Sequence, residues 1–551
     1  MNKQIAIVLS CLMLTGCAGR TVTEVTAPET TSATTPIAAE TVHAPEYRSR
    51  FGSEMTIQLS DDSISTDAGE EAVFVSRDIV YYEDRDVFDS GNPYGEGSET
   101  EKHTVEEASA HTVVNITQPG AYRVSGKLSA GQIRIDLGNT AYYDPEAVVE
   151  LILDNADITC TVAPAILFQN VYECDGEWSA DTAKAEVDTS DAGANLILEG
   201  TNCVSGSHVA KIYQDGEGEK KLWKQDGAVY SYMSMNVFGP GSLELTADNE
   251  GLNSELHLTI NGGTIHIDSD NDGINTNEDG VSVTTINGGN LTIRAGLREE
   301  GDGIDSNGYL VINGGRVVAF ANPAADAGLD SDLGSYIHGG TVIAMGAAMD
   351  WAESDSQQTA MNLQFTRQQS AGAKILRTRV DGTQIFSFES DDEYARPFGG
   401  LILSHPFMSV GETYHVYIDG VQMAYTGTDM AQGRPGMGQM GQIPEGMAFP
   451  EGPIPQMPQL PEGESMPAEF DPSQIGGREM NGQRPGGGQG DRTPPQQFQG
   501  EMPAMPEGGT PEMPRDGFGG PKNQNAAQGE SSTEFYMRDK VNAFTGIQEA
   551  Q

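Results

Sequence analysis

Acidic and amide side chains return at fixed places in a repeated sequence signature, and they are the side chains of this chain best suited to chemistry. In its three complete copies the signature is an acid followed by Gly, an aliphatic residue and Asn or Asp. The first copy lacks the Asn or Asp, and the last begins with Ala instead of an acid. If the copies stack as neighbouring strands, equivalent positions lie roughly 5 Å apart, and carboxylates in one row repel each other. A divalent cation removes this repulsion, and Ca²⁺ prefers carboxylate and amide oxygens. The copies are Asp226–Ser231, Glu250–Glu255, Asp272–Asn277, Asp302–Asn307 and Ala327–Asp332.

These turns predict bound Ca²⁺, because their densest stretch, Asp268–Asn275, concentrates oxygen ligands. Asp305 and Asp330 are the acids that would be least stable without a cation. The alternative is that the Asn and Asp side chains only form hydrogen bonds within the turns, as an asparagine ladder without metal. The predicted calcium ligands are Asp270, Asp272, Asn275, Asp302, Asp305, Asp330 and Asp332.

A second signature alternates with the first and indicates the fold class. It is a glycine-rich turn, usually Ile-Asn-Gly-Gly, after which apolar residues occupy every second position. Two interleaved signatures, with the glycines of the first 22 to 30 residues apart, predict a solenoid, and the period-two alternation makes its elements β-strands. The frequent glycines leave no room for helices. The predicted inward-facing pairs are Leu243/Leu245, Ile265/Ile267, Leu291/Ile293, Val317/Ala319 and Val342/Ala344.

The N-terminal residues have the pattern of a bacterial lipoprotein signal. Lys3 precedes the apolar stretch 5–14, and Leu14-Thr15-Gly16-Cys17 is similar to a lipobox, in which Cys17 would carry the lipid. The alternative is an ordinary signal peptide. No later stretch is long and apolar enough to span a bilayer. We therefore expect an exported protein, anchored to the bacterial membrane at the cell envelope through its N-terminal lipid only.

Composition divides the rest of the chain into four parts. Residues 18–45 are rich in Thr, Ala and Pro and predict a flexible tether. Residues 46–425 are the β-rich body, with the clearest repeats at 226–346. Residues 427–530 are dominated by Gly, Pro, Met, Gln and Glu, which predicts a disordered segment. Residues 531–551 regain apolar side chains and either dock on the body or form a frayed tail.

Charge and cysteine content limit the partners and the cross-links. The formal net charge is −50, from 81 acidic and 31 basic residues, which excludes nucleic acid and makes direct docking on anionic membranes unfavourable. Beyond Cys17, three cysteines occur in the body, and their spacings match no zinc motif. Two alternatives stay open, a Cys160–Cys174 disulfide across an inserted loop, 172–192, or three buried thiols that include Cys203.

Together the two repeated turns and the distal stretch Val410–Tyr417 resemble a family of secreted bacterial carbohydrate-binding proteins first recognised in cellulolytic clostridia. The resemblance covers roughly 150–420. It implies a right-handed parallel β-helix with bound calcium, similar in architecture to pectate lyases, and binding of cellulose or polygalacturonate. The N-terminal 100 residues and the low-complexity tail find no support in it.

Two kinds of residue could contact such a ligand. Uronates are anionic, so an acidic protein needs bridging Ca²⁺ or local basic residues to hold them. A lyase would use bound calcium to acidify a sugar proton and a basic side chain to remove it, and the candidate bases are Arg298 and Lys224. The alternative is that these cations only pair with neighbouring acids. A neutral glucan would stack on aromatic faces, for which the candidates are Trp223, Tyr230, Tyr232 and Trp351.

These observations predict a lipid-anchored polysaccharide-binding module, expected to be a monomer, whose parallel β-helix is stabilised by calcium. Two alternatives differ from it in class. A calcium-dependent polysaccharide lyase would release unsaturated oligosaccharides, whereas a structural or adhesive envelope protein would bind no sugar.

Overall fold

The computed structural model describes residues 47–82, 101–176, 179–180, 182–212, 223–298, 300–347, 350–389, 396–429 and 531–550. The predicted lipid-bearing Cys17, the tether and residues 430–530 of the low-complexity segment lie outside these ranges. Regular structure in the described residues is almost entirely β, which confirms the predicted all-β class. The helices of the described residues are one α-helix, α1 (Val105–Ala110), and one 3-10 turn, Ala141–Tyr143. None of the helices described is long and apolar enough to cross a membrane.

The strands before the clearest repeats form the first part of the body. Helix α1 lies among them and begins with a capping box, in which Thr104 and Glu107 satisfy each other's backbone N–H groups. The strands are β1 (Glu54–Leu59), β2 (Ser65–Thr66), β3 (Val73–Ser76), β4 (Thr112–Ile116), β5 (Gly120–Leu128), β6 (Gly131–Asp136), β7 (Val149–Thr159), β8 (Ile166–Asn170), β9 (Ala194–Glu199), β10 (Thr201–Gly206), β11 (Val209–Ile212) and β12 (Trp223–Gln225).

In the region of the clearest repeats, each repeat consists of up to three short strands in the same order. These strands are β13 (Gly227–Ser231), β14 (Met235–Phe238), β15 (Ser242–Ala247), β16 (Glu250–Ser254), β17 (Leu258–Ile260), β18 (Thr264–Ser269), β19 (Ile274–Thr276), β20 (Val283–Ile286), β21 (Asn290–Arg294), β22 (Ile304–Ser306), β23 (Tyr309–Ile312), β24 (Arg316–Phe320), β25 (Gly334–Ile337) and β26 (Thr341–Gly346).

Equivalent strands of successive repeats pair in parallel and in register, so that three parallel ladders run along the body. The first ladder is β8, β13, β16, β19 and β22. The second is β9, β14, β17, β20, β23 and β25. The third is β10, β15, β18, β21, β24 and β26. The right-handed parallel β-helix remains a prediction that these ladders support without showing closure.

The predicted inward-facing residues lie in the third ladder and stack on one another. Leu243, Ile265, Leu291, Val317 and Val342 are partners in register along it. All five are at most 1% exposed and belong to one apolar cluster that extends from β1 to β35, whose bounds follow below. The core therefore consists of aliphatic rows, each contributed by the same position of every repeat.

The last part of the body is mostly antiparallel and has its own aromatic core. The C-terminal strand pairs in parallel with the first strand of this part, and antiparallel with two others. The segment predicted to be disordered from residue 427 begins with a strand. The strands are β27 (Ala360–Gln369), β28 (Ile375–Arg379), β29 (Gln384–Phe388), β30 (Phe398–Ser404), β31 (Thr413–Ile418), β32 (Val421–Ala424), β33 (Gly427–Asp429), β34 (Phe535–Tyr536) and β35 (Val541–Glu549).

The cysteines fit neither predicted alternative completely. Cys160 and Cys174 are free thiols, so the predicted disulfide across the inserted loop is not formed. Cys160 is fully buried and Cys174 half-buried, while Cys203 is disulfide-bonded. The alternative of three buried thiols is therefore also incorrect, because sequence spacing does not report which side chains meet in space.

A buried cation in the last part of the body has no acidic partner. Arg377, on β28, is 0% exposed, and none of its three guanidinium nitrogens has a hydrogen-bond partner. Its guanidinium carbon lies 4.2 Å from the centre of the Tyr414 ring. Burial lowers the pKa of Arg377 to about 10 and, together with this cation, lowers the pKa of His405 to about 4.

We expect Arg377→Met to raise the free energy of unfolding by about 2 kcal/mol, because desolvating an unpaired guanidinium costs more than one cation–π contact returns. Thermal or denaturant unfolding measures this change. Arg379→Met, two residues away and exposed, is the control and should change stability little. A less stable Arg377→Met protein would contradict the assignment of this arginine as a net cost.

Candidate functional site

The structure brings the repeated acids and amides together on the first ladder. Asn253, Asn275 and Asp305 are partners in register on β16, β19 and β22. Asp330 follows Asp305, because its N–H donates to Ile304 O at 2.8 Å and its carbonyl accepts from Ser306 N at 3.2 Å. The acids at the start of each signature flank this row. We refer to these residues as the acidic ladder: Glu250, Asn253, Asp272, Asn275, Asp302, Asp305 and Asp330.

Glycine follows each of these leading acids because the next repeat approaches too closely for a side chain. A Cβ placed on Gly273 would lie 2.6 Å from the carbonyl oxygen of Gly303 and 2.1 Å from Ile293 Cγ2. A Cβ on Gly303 would in turn lie 2.4 Å from Gly328 O. The same close approach brings the side chains of neighbouring repeats into one row.

Amide and backbone donors satisfy part of the acidic ladder. Asn275 Nδ2 donates to Glu250 Oε1 at 3.0 Å and to Asp272 Oδ2 at 3.3 Å. Asn253 Nδ2 also donates to Glu250. The backbone N–H of Asp302 donates to Asp272 Oδ1 at 2.7 Å, and that of Ala327 to Asp302 Oδ1 at 2.6 Å. The carboxylates thus receive neutral donors.

The remaining repulsion between the carboxylates raises their pKa values. Burial, then the charges of Asp305 and Glu250, raise the pKa of Asp272 well above its ordinary value. Burial, then Asp272, Asp330 and Asp305, do the same for the pKa of Asp302. Burial, then Asp226, raises the pKa of Glu250 to about 7. The acidic ladder is therefore a site where a positive charge would stabilise the ionised carboxylates.

One amide oxygen within the acidic ladder has no donor. Asn275 is 6% exposed, and although its nitrogen donates to two carboxylates, its Oδ1 has no hydrogen-bond partner. A buried carbonyl without a partner is uncommon in folded proteins. An amide oxygen is a good Ca²⁺ ligand. The unpartnered oxygen of Asn275 and the mutually repelling carboxylates would therefore both be stabilised by a bound cation. In the described part of the chain, no three His, Cys, Asp or Glu side chains converge as ligands, so amide and backbone oxygens would have to complete the set.

Two of the predicted ligands lie apart from this arrangement. Asp270 is ion-paired with Arg298, with Oδ2 and Nε 3.4 Å apart. Asp332 is exposed, and its backbone N–H donates to Ser306 O at 3.0 Å. Their assignment as calcium ligands, like that of the five residues within the acidic ladder, stays a prediction.

The two candidate bases are both held in ion pairs. Lys224 Nζ lies 2.7 Å from Asp226 Oδ2, and Arg298 is 80% exposed beside Asp270. A general base must be uncharged, whereas an acidic neighbour stabilises a cation. The contacts therefore agree with the alternative that these side chains neutralise local acids.

The aromatic candidates do not form an exposed surface. Tyr230 is 0% exposed and Tyr232 8% exposed, and their rings pack edge to face with centroids 5.1 Å apart. A sugar ring cannot reach these faces, which corrects their assignment to stacking. Trp351 is half-buried, and the side chain of Trp223 lies outside the described residues.

The sequence did not identify two glutamates, Glu250 and Glu255, that accept hydrogen bonds from amides of the repeats. Glu250 was placed in a row of acids but not among the ligands, although it accepts from both Asn253 and Asn275. Glu255 is half-buried, accepts from Tyr230 and from Asn277, and its pKa is raised to about 7, chiefly by desolvation. The sequence did contain a sign of both acids, because Glu250 and Glu255 are the first and last residues of one copy of the repeated signature.

A polar groove of about 680 Å³ lies on the second ladder. Its floor includes Asn287 and Asn313, which follow β20 and β23 in the glycine-rich turns, and loop 185–190 borders it. The second glycine of each of these turns has a positive φ, for example 94° at Gly289, which glycine adopts readily. The sequence identified these turns but gave no sign that a distant loop would cover them.

Comparison with known proteins identifies a related family for the part of the chain that contains the acidic ladder. A family model described as "Carbohydrate-binding domain-containing protein" matches residues 110–373, which contain the acidic ladder and most of the groove. This part of the chain matches a carbohydrate-binding domain family. A relative with the same description, from Acetivibrio thermocellus, is 28% identical over 155 residues. That alignment covers 28% of this chain and 44% of the relative, so the chain spans less than half of the relative's length.

One solved structure also aligns with this chain, "polysaccharide lyase-like protein from C. thermocellum, Gadolinium derivative". The alignment has 22% sequence identity and a TM-score of 0.32, and it covers 52% of this chain and 93% of that one.

The raised pKa values of these carboxyl groups predict a pH-dependent stability in calcium-free solution. A carboxyl group with a higher pKa in the folded chain holds its proton better there, so the free energy of unfolding falls as pH rises. For Glu250 the window runs from the ordinary value of 4.5 to about 7. We expect this carboxyl group to contribute a loss of about 3 kcal/mol across that window. Denaturant unfolding in chelator at pH 4.5 to 7.5 measures the loss.

Glu250→Gln separates this contribution from those of the other acids, because the amide stays neutral at every pH. The free energy of unfolding should then fall less steeply between pH 4.5 and 7. Glu70→Gln, a matched change at an exposed turn, should leave the slope as it is. Identical slopes for Glu250→Gln and the wild-type protein would show that Glu250 is ionised in the folded chain throughout this range.

Proposed function

We propose that this protein is a polysaccharide-binding module of the cell envelope whose repeats are stabilised by calcium. The observation that carries the proposal is the match of 110–373 to a carbohydrate-binding domain family, over the residues that contain the acidic ladder. The polysaccharide would be of the polygalacturonate or cellulose type. A lipid on Cys17, in the lipobox-like sequence, would hold the protein on the bacterial membrane.

A right-handed parallel β-helix is the proposed architecture of the repeats. Three parallel ladders, each with one strand from successive repeats, support it. A shared aliphatic core lies between them. In such a coil each repeat buries its apolar residues only against the next, so a cation that joins neighbouring repeats stabilises the whole stack.

Calcium is the proposed cation of the acidic ladder. Asp272, Asp302, Asp305 and Asp330 would supply carboxylate oxygens, no more than two of them to any one ion, and Asn275 would supply its unpartnered amide oxygen. Bound Ca²⁺ would neutralise the repelling charges and hold three adjacent repeats in register. Asp270 and Asp332 remain proposed ligands at the borders of this arrangement.

Removal of calcium should lower the melting temperature, because an ion that binds only the folded chain stabilises it by RT ln(1 + [L]/Kd). This amounts to about 2.7 kcal/mol when free calcium exceeds Kd a hundredfold. Thermal unfolding at pH 7.5 with calcium and with chelator measures the shift. Coincident melting curves would remove calcium from the proposal.

Asp305→Asn together with Asp330→Asn should weaken calcium binding by at least about tenfold, since each change removes a charged ligand. Isothermal titration with CaCl₂ measures the affinity. Glu70→Gln together with Glu71→Gln is the matched control, because it removes two charges from an exposed turn. Equal affinities of both double variants would mean that the ion does not bind at the acidic ladder.

Polysaccharide binding can be tested with the chain from residue 46 onward. We expect saturable retention on polygalacturonate or on cellulose, without release of unsaturated sugars detectable by ultraviolet absorbance. Growing absorbance with polygalacturonate would instead establish a polysaccharide lyase. Retention on neither polymer would favour a structural or adhesive envelope protein and would overturn the proposed function.

A further inference from the structure

The groove on the second ladder has a floor made of two rows of side chains. One row runs Asn195, Asn236, Thr259, Thr285 and Val311, which are partners in register on β9, β14, β17, β20 and β23. Four strand spacings of about 4.8 Å make this row about 19 Å long. The second row consists of Asn261, Asn287, Asn313 and His338, which follow β17, β20, β23 and β25 where each strand enters its glycine-rich turn. The members of the first row are at most 9% exposed, so a ligand would contact chiefly the second row, which spans three strand spacings, about 14 Å, and is long enough for more than one unit of a linear polymer.

The three asparagines of the second row bond to one another, and we refer to Asn261, Asn287 and Asn313 as the asparagine ladder of the groove. Asn287 Nδ2 donates to Asn261 Oδ1 at 2.9 Å, and Asn313 Nδ2 donates to Asn287 Oδ1 at the same distance. Each amide has two N–H donors and an oxygen that accepts two bonds. One ladder bond on each side leaves capacity for a further partner at every member. Asn287 and Asn313 are half-buried and line the groove, so a ligand there would find both donors and acceptors.

The floor carries no formal charge, although the protein as a whole has a net charge of −50. Its members are amides, hydroxyls and an aliphatic side chain, and burial lowers the pKa of His338, which leaves this ring neutral at pH 7. Glu150, at one end, accepts from Tyr47 OH at 2.6 Å, Ser49 Oγ at 2.6 Å and Arg50 N at 2.8 Å. This carboxylate is therefore already satisfied by the protein.

The inserted loop, 172–192, borders the groove with its residues 185–190, and hydrogen bonds near both of its ends hold it on the body. At its start Glu173 accepts from Ser234 N at 2.7 Å and Ser234 Oγ at 2.8 Å, and Asp175 Oδ2 lies 3.1 Å from His257 Nε2. Near its end Thr189 Oγ1 contacts Asn236 Oδ1 and Thr259 Oγ1, each at 2.7 Å. Between these anchors, Glu186 and Asp188 are exposed on the loop beside the groove. The loop therefore adds negative charge to a neutral floor.

We propose that this groove is the polysaccharide site and that it takes a neutral, hydroxyl-rich glycan along the asparagine ladder. The proposal rests on the proposed function and names the substrate class within it. Amide and hydroxyl side chains both donate to and accept from sugar hydroxyls. A polyuronate would place carboxylates beside Glu186 and Asp188, which is unfavourable, while the basic residues of the lining, Arg48 and Arg50, belong to the end of the groove at Glu150. Calcium would then support the repeats without bridging to the sugar.

The first experiment measures binding of the full chain to hydroxyethyl cellulose, a neutral probe, and to polygalacturonate by affinity electrophoresis. Asn287→Ala together with Asn313→Ala should weaken binding to the neutral probe about tenfold, since two or more hydrogen bonds to sugar hydroxyls are lost. Val187→Trp, on the loop, should have a similar effect by filling the groove without altering the ladder. Thermal unfolding checks that both variants remain folded.

A change of charge on the loop provides a gain of function. Glu186→Lys together with Asp188→Lys should increase retention by polygalacturonate and leave retention by the neutral probe within about twofold, because only an anionic ligand responds to the added cations. Asp62→Lys together with Glu70→Lys is the control and makes the same change in net charge on exposed turns elsewhere. An equal gain in the control would indicate general attraction and would contradict the groove.

The outcomes separate this inference from the proposed function. If the wild-type protein binds the neutral probe but the groove variants bind it equally well, the groove is not the site, and the function stands. If the wild-type protein binds polygalacturonate alone, the neutral class is wrong, and the function again stands. If it binds neither, both are overturned.

Discussion

The structure depends on one constraint, that equivalent residues of successive repeats lie side by side on parallel strands in register. For aliphatic residues this stacking is favourable, because each row, such as Leu243, Ile265 and Leu291, buries itself on its neighbours. For carboxylates the same register is unfavourable, because it brings like charges together in a partly buried site. The raised pKa values of Asp272 and Asp302 are the direct consequence. A chain that repeats acids at one position therefore needs a proton, hydrogen-bond donors or a compensating charge at that position.

This constraint also explains how much of the molecule could be predicted from its sequence. In a repetitive fold, neighbours in space are neighbours in the period, so the row of Asn253, Asn275 and Asp305 and the inward-facing aliphatic residues followed from spacing alone. Features that depend on contacts outside the period could not be found. The burial of Tyr230 and Tyr232, and the coverage of Asn236 by Thr189 across 47 residues, are examples. The pairing of β35 with β27 joins segments about 180 residues apart and likewise has no local signal.

The two candidate surfaces belong to different ladders but to the same repeats. A single repeat carries Asp272 and Asn275 around β19 and then Asn287 after β20, so that one short stretch of chain contributes to both. Because the strands are only three to six residues long in this region, each has few backbone bonds of its own, and its position depends on its neighbours. A cation that fixes the first ladder would thereby also fix the spacing of the amides on the second. Calcium would then support ligand binding indirectly, through the regularity of the asparagine ladder.

Asparagine and aspartate respond differently to the same stacking. An amide has both a donor and an acceptor, so Asn261, Asn287 and Asn313 bond to one another along their row without a charged partner. A carboxylate accepts only, so Asp272, Asp302 and Asp305 cannot satisfy one another and must take donors from the backbone, a proton or a cation. On the first ladder the repeats change from Asn275 to Asp305, so from Asp305 onward this row contains side chains that only accept. The unpartnered oxygen of Asn275 stands at this boundary, where a cation shared with the following acids would satisfy both kinds of side chain.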